Sequence, residues 1–270
     1  MQISSAVDQR RIMRMNIQVF VASHKPYWIC PDPIYTPILV GAAERDSFED
    51  EWARDDVAEN ISRKNPTYCE LTALYWAWKN SKAGYVGLCH YRRYFAEVMH
   101  GEKQLRILGR EHLERLVEKT PVVLPRKRYY IIETNDSQYA HAHHAQDLDI
   151  TRDILGERWP AYLPAFDAVM RRTSGHRFNM MIMRRDVLDR YCTWLFDVLF
   201  ELERRLDITG YSANDQRVFG FVAERLLDVW IETEQIGYQE LPVVNLENQH
   251  WPKKILAFLK RKFFGKGASA

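Results

Sequence analysis

The stretch NISRKNPTYCELTALYWAWKNSKAGYVGLCHYRRYF, Asn60 to Phe95, decides the fold, because it passes from a polar loop through an aromatic helix and a buried strand into a cationic turn. Asn65 followed by Pro66 reads as a helix start: an asparagine oxygen can cap free backbone N–H groups, and a proline in the first turn gives up a donor that has no partner there. The helix is predicted to run to Lys79. Tyr68, Leu71, Leu74 or Tyr75, and Trp78 recur at three-to-four spacing and make its apolar face, with Val86 and Leu88 of the next strand as neighbours. After the apolar run Tyr85-Val86-Gly87-Leu88-Cys89 come His90-Tyr91-Arg92-Arg93, at the place where an open α/β sheet holds its ligand, outside the carboxyl end of a strand. Two adjacent arginines there point to an anionic ligand.

Outward from this stretch the elements alternate. Ile17 to Ala22 (IQVFVA) reads as a buried first strand leading into the loop Ser23-His24-Lys25-Pro26, and Ile38 to Gly41 as a second strand. Residues 44 to 64 are so rich in carboxylates that loop or exposed helix is expected, because unpaired carboxylates resist burial. A helix over Gly109 to Lys119, a strand over Val122 to Leu124 and a polar, histidine-rich segment over 133 to 149 follow. Ile150 to Arg172 reads as helix broken at Pro160 and Pro164, Phe178 to Met183 as strand, and Asp186 to Leu206 and Asn214 to Glu232 as amphipathic helices. The pattern predicts an α/β fold whose mixed, mainly parallel sheet is flanked by helices.

Composition narrows the function classes. The 270 residues carry 38 basic and 36 acidic side chains, a net charge of +2, so no global field draws the protein to nucleic acid. Cys30, Cys69, Cys89 and Cys192 lie far apart and lack metal-ligand spacing, which implies reduced thiols and a cytoplasmic setting. No apolar run reaches the roughly 18 residues of a membrane span. The expected organisation is a leader over 1–16, one domain over 17–250, and a tail over 251–270. In the tail, KKILAFLKRKFFGK combines basic with aromatic and aliphatic residues, which suits a membrane surface and predicts peripheral attachment to the inner face of the cell membrane.

The motifs SHKPY, YTPILVGA, NISRKNPTYCELTALYWAWKN, YVGLCHYRRYF, FNMMIMRRDVLDRYCTWLF and QRVFGFVAERLLDVWI resemble a bacterial family catalogued as domain of unknown function 4422. That family is associated with capsule, O-antigen and exopolysaccharide clusters and with glycosyltransferases, galactofuranosyltransferases among them. The resemblance covers about residues 17 to 245. It implies a GT-A-like, Rossmann-related fold and a hexosyltransferase moving a sugar, galactofuranose or galactose, from a UDP-sugar donor to a lipid-linked glycan acceptor, with inversion. Many GT-A enzymes carry an acid-x-acid metal motif after the strand that corresponds to YVGLC. Here His90, Arg92 and Arg93 stand in that place, and guanidinium groups can neutralise phosphate oxygens directly. No cofactor is therefore expected, with a divalent metal, manganese or magnesium, as the alternative.

By the same analogy His24, Lys25, Asn60, Lys64 and Asn65 lie near the donor with His90, Arg92 and Arg93. Competing structural readings are capping for Asn65 and pairing of an arginine with acids of the 44 to 59 loop. Inverting transfer needs a base for the acceptor hydroxyl. Candidates are the cluster Glu133, His141, His143, His144, Asp147 and Asp149, then Asp215, and third Glu224, which has Arg217 or Arg225 as a competing partner. Asp147, Asp215 and His144 are taken as catalytic, and Glu133, His141 and Trp159 as acceptor-binding. His141, His143, His144 and Asp147 also admit a metal reading, which would make the protein a metal-dependent sugar-nucleotide hydrolase or transferase. A non-catalytic glycan-binding subunit is the other alternative.

Overall fold

A computed structural model describes residues 16–46, 51–130 and 132–247 of the chain. The expected tail over 251–270, and the leader apart from Asn16, lie outside the described residues.

The chain opens with β1 (Ile17–Ser23), β2 (Tyr35–Leu39) and the short β3 (Ala53–Arg54). Helices α1 (Asn65–Tyr68) and α2 (Leu71–Asn80) lead into β4 (Tyr85–His90) and β5 (Arg93–Phe95). Next come α3 (Arg110–Val117), β6 (Val122–Pro125), β7 (Arg128–Tyr129), α4 (Asn135–Ala142), α5 (Gln146–Arg158) and α6 (Leu163–Arg171). The described chain closes with β8 (Ser174–Gly175), β9 (Met181–Arg184), α7 (Arg185–Arg205), α8 (Val218–Thr233), β10 (Gln239–Leu241) and β11 (Val243–Asn245).

Along the main sheet the order is β10-β6-β9-β4-β1-β2-β3. β1 runs parallel to β2 and β4, β2 to β3, and β6 to β10, while β9 lies antiparallel between β4 and β6. The expected mixed α/β sheet flanked by helices is thus present. Both faces are buried, and the period of two sorts the side chains between them. Phe20, Ala22, Val86 and Leu88 face the larger cluster, with Leu74, Leu195 and Leu226 of α2, α7 and α8. Val19, Val21 and Cys89 face the other, with Tyr35, Tyr94 and Leu113.

Several local expectations change. The helix foreseen over Asn65 to Lys79 is broken at Cys69, whose φ of 53° stops α1 before α2 begins. Asn65 does not cap it; its Nδ2 donates to the Cys69 carbonyl (2.8 Å) and Thr72 Oγ1 (3.3 Å), holding the break together. Pro164 opens α6, where a missing N–H costs nothing, and does not interrupt it. Phe178 and Asn179, expected in a strand, take positive φ values of 77° and 50°, so β9 starts only at Met181. In the acidic loop Asp55 is fully buried, because the Gly41 and Ala42 N–H groups (both 2.9 Å) and the Ser62 hydroxyl all donate to it. Four cysteines are free.

Candidate functional site

A cleft of about 560 Å³ opens at the carboxyl ends of β1, β2 and β4 and is closed on the other side by α1 and the start of α8. Its shape follows from the break at Cys69 and from the hairpin after β4. His90 ends β4, Arg93 begins β5, and the two pair across the Tyr91-Arg92 turn. Tyr91 fixes that turn: its N–H donates to the Ala22 carbonyl (3.1 Å), and its ring packs edge-on against His24 and Tyr27. The loop after β1 and the hairpin after β4 are therefore one rigid wall.

Cations dominate the lining. Arg45, Arg92, Arg93 and Arg217 all reach it, together with His24 and His90. Arg92 is half-exposed and paired with Glu247 at 3.1 Å. Arg93 has no carboxylate partner among the described residues and lies 4.5 Å from the centre of the Phe178 ring. Burial foremost, with Arg92 nearby, pulls its guanidinium pKa down. Arg217 donates to Cys69 Sγ (3.1 Å) and lies 5.2 Å from the Phe221 ring centre. The His90 ring is held by the Phe178 carbonyl at 2.6 Å, and burial keeps it below its ordinary pKa and hence neutral at neutral pH. A neutral ring facing a carbonyl must donate from Nε2.

Glu70 and Glu224 are the carboxylates that line the cleft among the described residues. Glu70 Oε1 accepts from Asn179 Nδ2 at 2.7 Å, leaving its second oxygen free. Glu224 is used on both oxygens, by the Phe178 N–H (2.9 Å) and by Arg225 (3.2 Å). An arrangement of four guanidinium groups around two carboxylates can hold a diphosphate and still accept a proton.

Of the residues expected near a donor, His24, Asn65, His90, Arg92 and Arg93 line the cleft, whereas Lys25, Asn60 and Lys64 do not. Lys25 stands over the Tyr91 ring, 5.1 Å from its centre. Asn60 closes its own loop by donating to the Asp56 and Ala58 carbonyls, and Lys64 is neutralised by Glu203 at 2.6 Å. Among the described residues, Arg92 and Arg93 do not pair with acids of the 44 to 59 loop. Asp147 lies outside the lining, 1% exposed under two tyrosine hydroxyls. Asp215 and His144 lie beside the cleft and not in it; Asp215 accepts from His143 (3.1 Å) and Ser212 (2.7 Å), and His144 stacks on Tyr211. Glu133 and His141 pair with each other at 2.7 Å, and Trp159 donates to Asp197 (2.7 Å) in a separate groove with Tyr162 and Trp194. The imidazoles of the histidine-rich segment are held by Glu133, Asp215 and the Tyr211 ring, and among the described residues no three His, Cys, Asp or Glu side chains converge to hold a metal.

The sequence pattern does not mark Arg45, Glu70, Tyr91 or Arg217 as site residues, though all four line the cleft. For Glu70 the available signal was its position immediately before the apolar face of α2, next to the break.

Among solved structures, the apo structure of a WbbM bifunctional glycosyltransferase superposes with a TM-score of 0.79 at 31% identity, over 86% of this chain and 46% of that one. The chain thus spans about half the length of that neighbour. No curated protein matches it. The model of the family described as Domain of unknown function (DUF4422) matches residues 18–235. That match runs from the second residue of β1 past the end of α8 and takes in every residue lining the cleft, so the chain belongs to the DUF4422 family, with a fold shared by a glycosyltransferase.

Proposed function

We propose that the protein is a glycosyltransferase that takes a hexose, galactofuranose or galactose, from a UDP-sugar and adds it with inversion to a lipid-linked glycan of bacterial surface-polysaccharide assembly. The observation that carries this reading is the arginine-lined cleft at the strand ends of a fold shared with a glycosyltransferase. Its volume falls in the range of small-molecule sites, about 300–1,000 Å³.

In this reading Arg93 and Arg92, with the exposed Arg45 and Arg217, take the donor diphosphate. Guanidinium groups in a partly dry cleft favour the charge that grows on the leaving nucleoside diphosphate as the C1–O bond breaks. Glu70 takes the proton from the acceptor hydroxyl as its oxygen bonds to C1, because its free oxygen is available where both oxygens of Glu224 are used. Neutral His90 donates to the Phe178 carbonyl and holds the backbone that presents Phe178 to Arg93. The arginines replace a metal at the diphosphate. The basic, aromatic tail brings the enzyme to the membrane face where lipid-linked acceptors are exposed, at the inner side of the cell membrane.

Calorimetry with UDP in EDTA tests the donor site. Each charge-assisted hydrogen bond is worth about 1.5–3 kcal/mol, so Arg93→Ala is expected to weaken UDP roughly tenfold or more. Binding that needs manganese, or that survives Arg93→Ala combined with Arg217→Ala, sinks the arginine-based donor site.

A further inference from the structure

Beside the cleft, and outside its lining, lies a polar and aromatic shelf. Its foundation is the buried Asp147 carboxylate, which accepts from Tyr139 Oη at 2.8 Å and from Tyr211 Oη at 2.6 Å. Anchored this way, the Tyr211 ring lies flat against His144, with centroids 3.9 Å apart and planes 17° from parallel. Gln146 Nε2 donates to the same tyrosine hydroxyl at 2.7 Å, and an Asp215 oxygen stands 3.7 Å from His144 Nε2. The His144 side chain is 42% exposed, and Gln146 lies in solvent.

Two links make the shelf continuous with the cleft. The His143 ring stacks on Phe221, centroids 4.2 Å apart, and Phe221 lines the cleft. Asp215 begins the short turn that ends at Arg217, another lining residue. The chemistry changes sharply across this boundary. The cleft is rich in guanidinium groups, whereas the shelf offers a flat ring pair, an amide and a carboxylate. A carboxylate there repels phosphate, while ring faces accept the C–H face of a sugar and the polar groups take its hydroxyls.

We propose that this shelf, with Tyr211 and His144 as its platform and Gln146 and Asp215 at its edge, seats a neutral sugar ring of the acceptor glycan. The proposal rests on the transferase reading and assigns acceptor positioning to His144, Asp147 and Asp215, which the sequence pattern marks as catalytic, together with Tyr211 and Gln146. Asp147 acts through Tyr211 as a positioning residue.

Saturation-transfer NMR on the full chain tests it, with methyl glycosides of galactose, glucose, mannose, rhamnose and N-acetylglucosamine as probes and calorimetry with UDP alongside. The expected result is saturation of at least one glycoside that persists with the cleft filled by UDP. In Tyr211→Ala the glycoside is expected to weaken about tenfold, the loss of one aromatic contact, with UDP affinity unchanged. His144→Ala and Gln146→Ala, both at the surface, give the same readout if Tyr211→Ala does not fold. No saturation by any glycoside, displacement by UDP, or saturation that survives all three variants overturns the shelf. UDP binding without glycoside binding removes the shelf and leaves the donor site standing; glycoside binding without UDP removes the donor site instead.

Discussion

Glu70 and Glu224 face the same arginines, and the hydrogen bonds they already make separate their roles. Glu224 holds the Phe178 backbone and Arg225, so its loss should disturb the cleft wall as well as any chemistry. Glu70→Gln keeps an acceptor oxygen for Asn179 while removing the proposed base. A positioned base contributes about 10²–10⁴-fold; transfer by Glu70→Gln should therefore fall by at least about a hundredfold in kcat, with UDP affinity kept. A variant with near-normal kcat would move the base elsewhere. The histidines make a second prediction. Burial above all lowers His90, and His24 and His143 likewise, from the ordinary value of 6.5. A depressed folded pKa means that the unfolded chain binds more protons, so the stability these groups contribute is present above about 6.5 and is lost as pH falls through their folded values. Asp147, raised from 3.8 chiefly by burial, has the opposite sign, its contribution being lost as pH rises through its folded value. The cleaner measurement is a difference. His90→Gln keeps a donor for the Phe178 carbonyl, and its melting temperature should fall less than that of the parent between about pH 7 and pH 5; parallel curves would show that His90 does not titrate in that window.

At the scale of elements, what could be read from the sequence was whatever local period controls. β1 and β4 are short apolar runs with β-branched residues, and α7 has an apolar stripe, so their residues announce themselves. The break at Cys69 could not be read this way, because the apolar spacing of Tyr68, Leu71 and Leu74 passes through it undisturbed. Its cause is tertiary: α8 packs against α1, and a Cβ on Gly220 would stand 3.4 Å from Cys69 Sγ. Because Glu70 stands directly after that break, the residue proposed as the base was hidden for the same reason. Reversal of β9 was hidden too, since direction within a sheet leaves no mark on alternation. Two substitutions probe these elements. A Cβ at Gly87 would meet Ile182 Cγ1 at 2.9 Å, Val19 Cγ2 at 3.1 Å and the Met181 carbonyl at 3.2 Å, where β4 is squeezed between β1 and β9. Overpacking of this kind costs about 1–3 kcal/mol, so Gly87→Ala should lower the denaturant midpoint accordingly; an unchanged midpoint would mean that the strands part freely. Asp55→Ala leaves two buried N–H groups and the Ser62 hydroxyl without their acceptor, at about 1–3 kcal/mol for each unsatisfied group. It should destabilise the fold more than Gly87→Ala does.

For the molecule as a whole, a net charge of +2 hides a local imbalance, because the cleft gathers four arginines that overall composition cannot reveal. Two of them, Arg92 and Arg93, follow β4 in sequence, and the turn after a parallel strand is a position that topology dictates. Arg45 and Arg217 come from segments 45 and 217 residues into the chain and meet the pair only through the completed fold. Four guanidinium groups gathered in one cleft give an anionic ligand a global signature. A ligand that binds only the folded state stabilises it by about 2.7 kcal/mol at a hundred times its Kd. For a domain of this size that is about 5–10 °C in melting temperature. UDP in EDTA is expected to give a shift of that order, and the shift should shrink as salt is raised from about 0.05 M to 0.5 M, because exposed Arg45 and Arg217 are screened before half-buried Arg93 is. Arg93→Ala should therefore lower the shift at every salt concentration, whereas Arg217→Ala should lower it mainly at low salt. Equal loss at all concentrations in both variants would mean that the two arginines share one dry environment on the ligand, and a shift that ignores salt and both variants would place UDP outside the cleft.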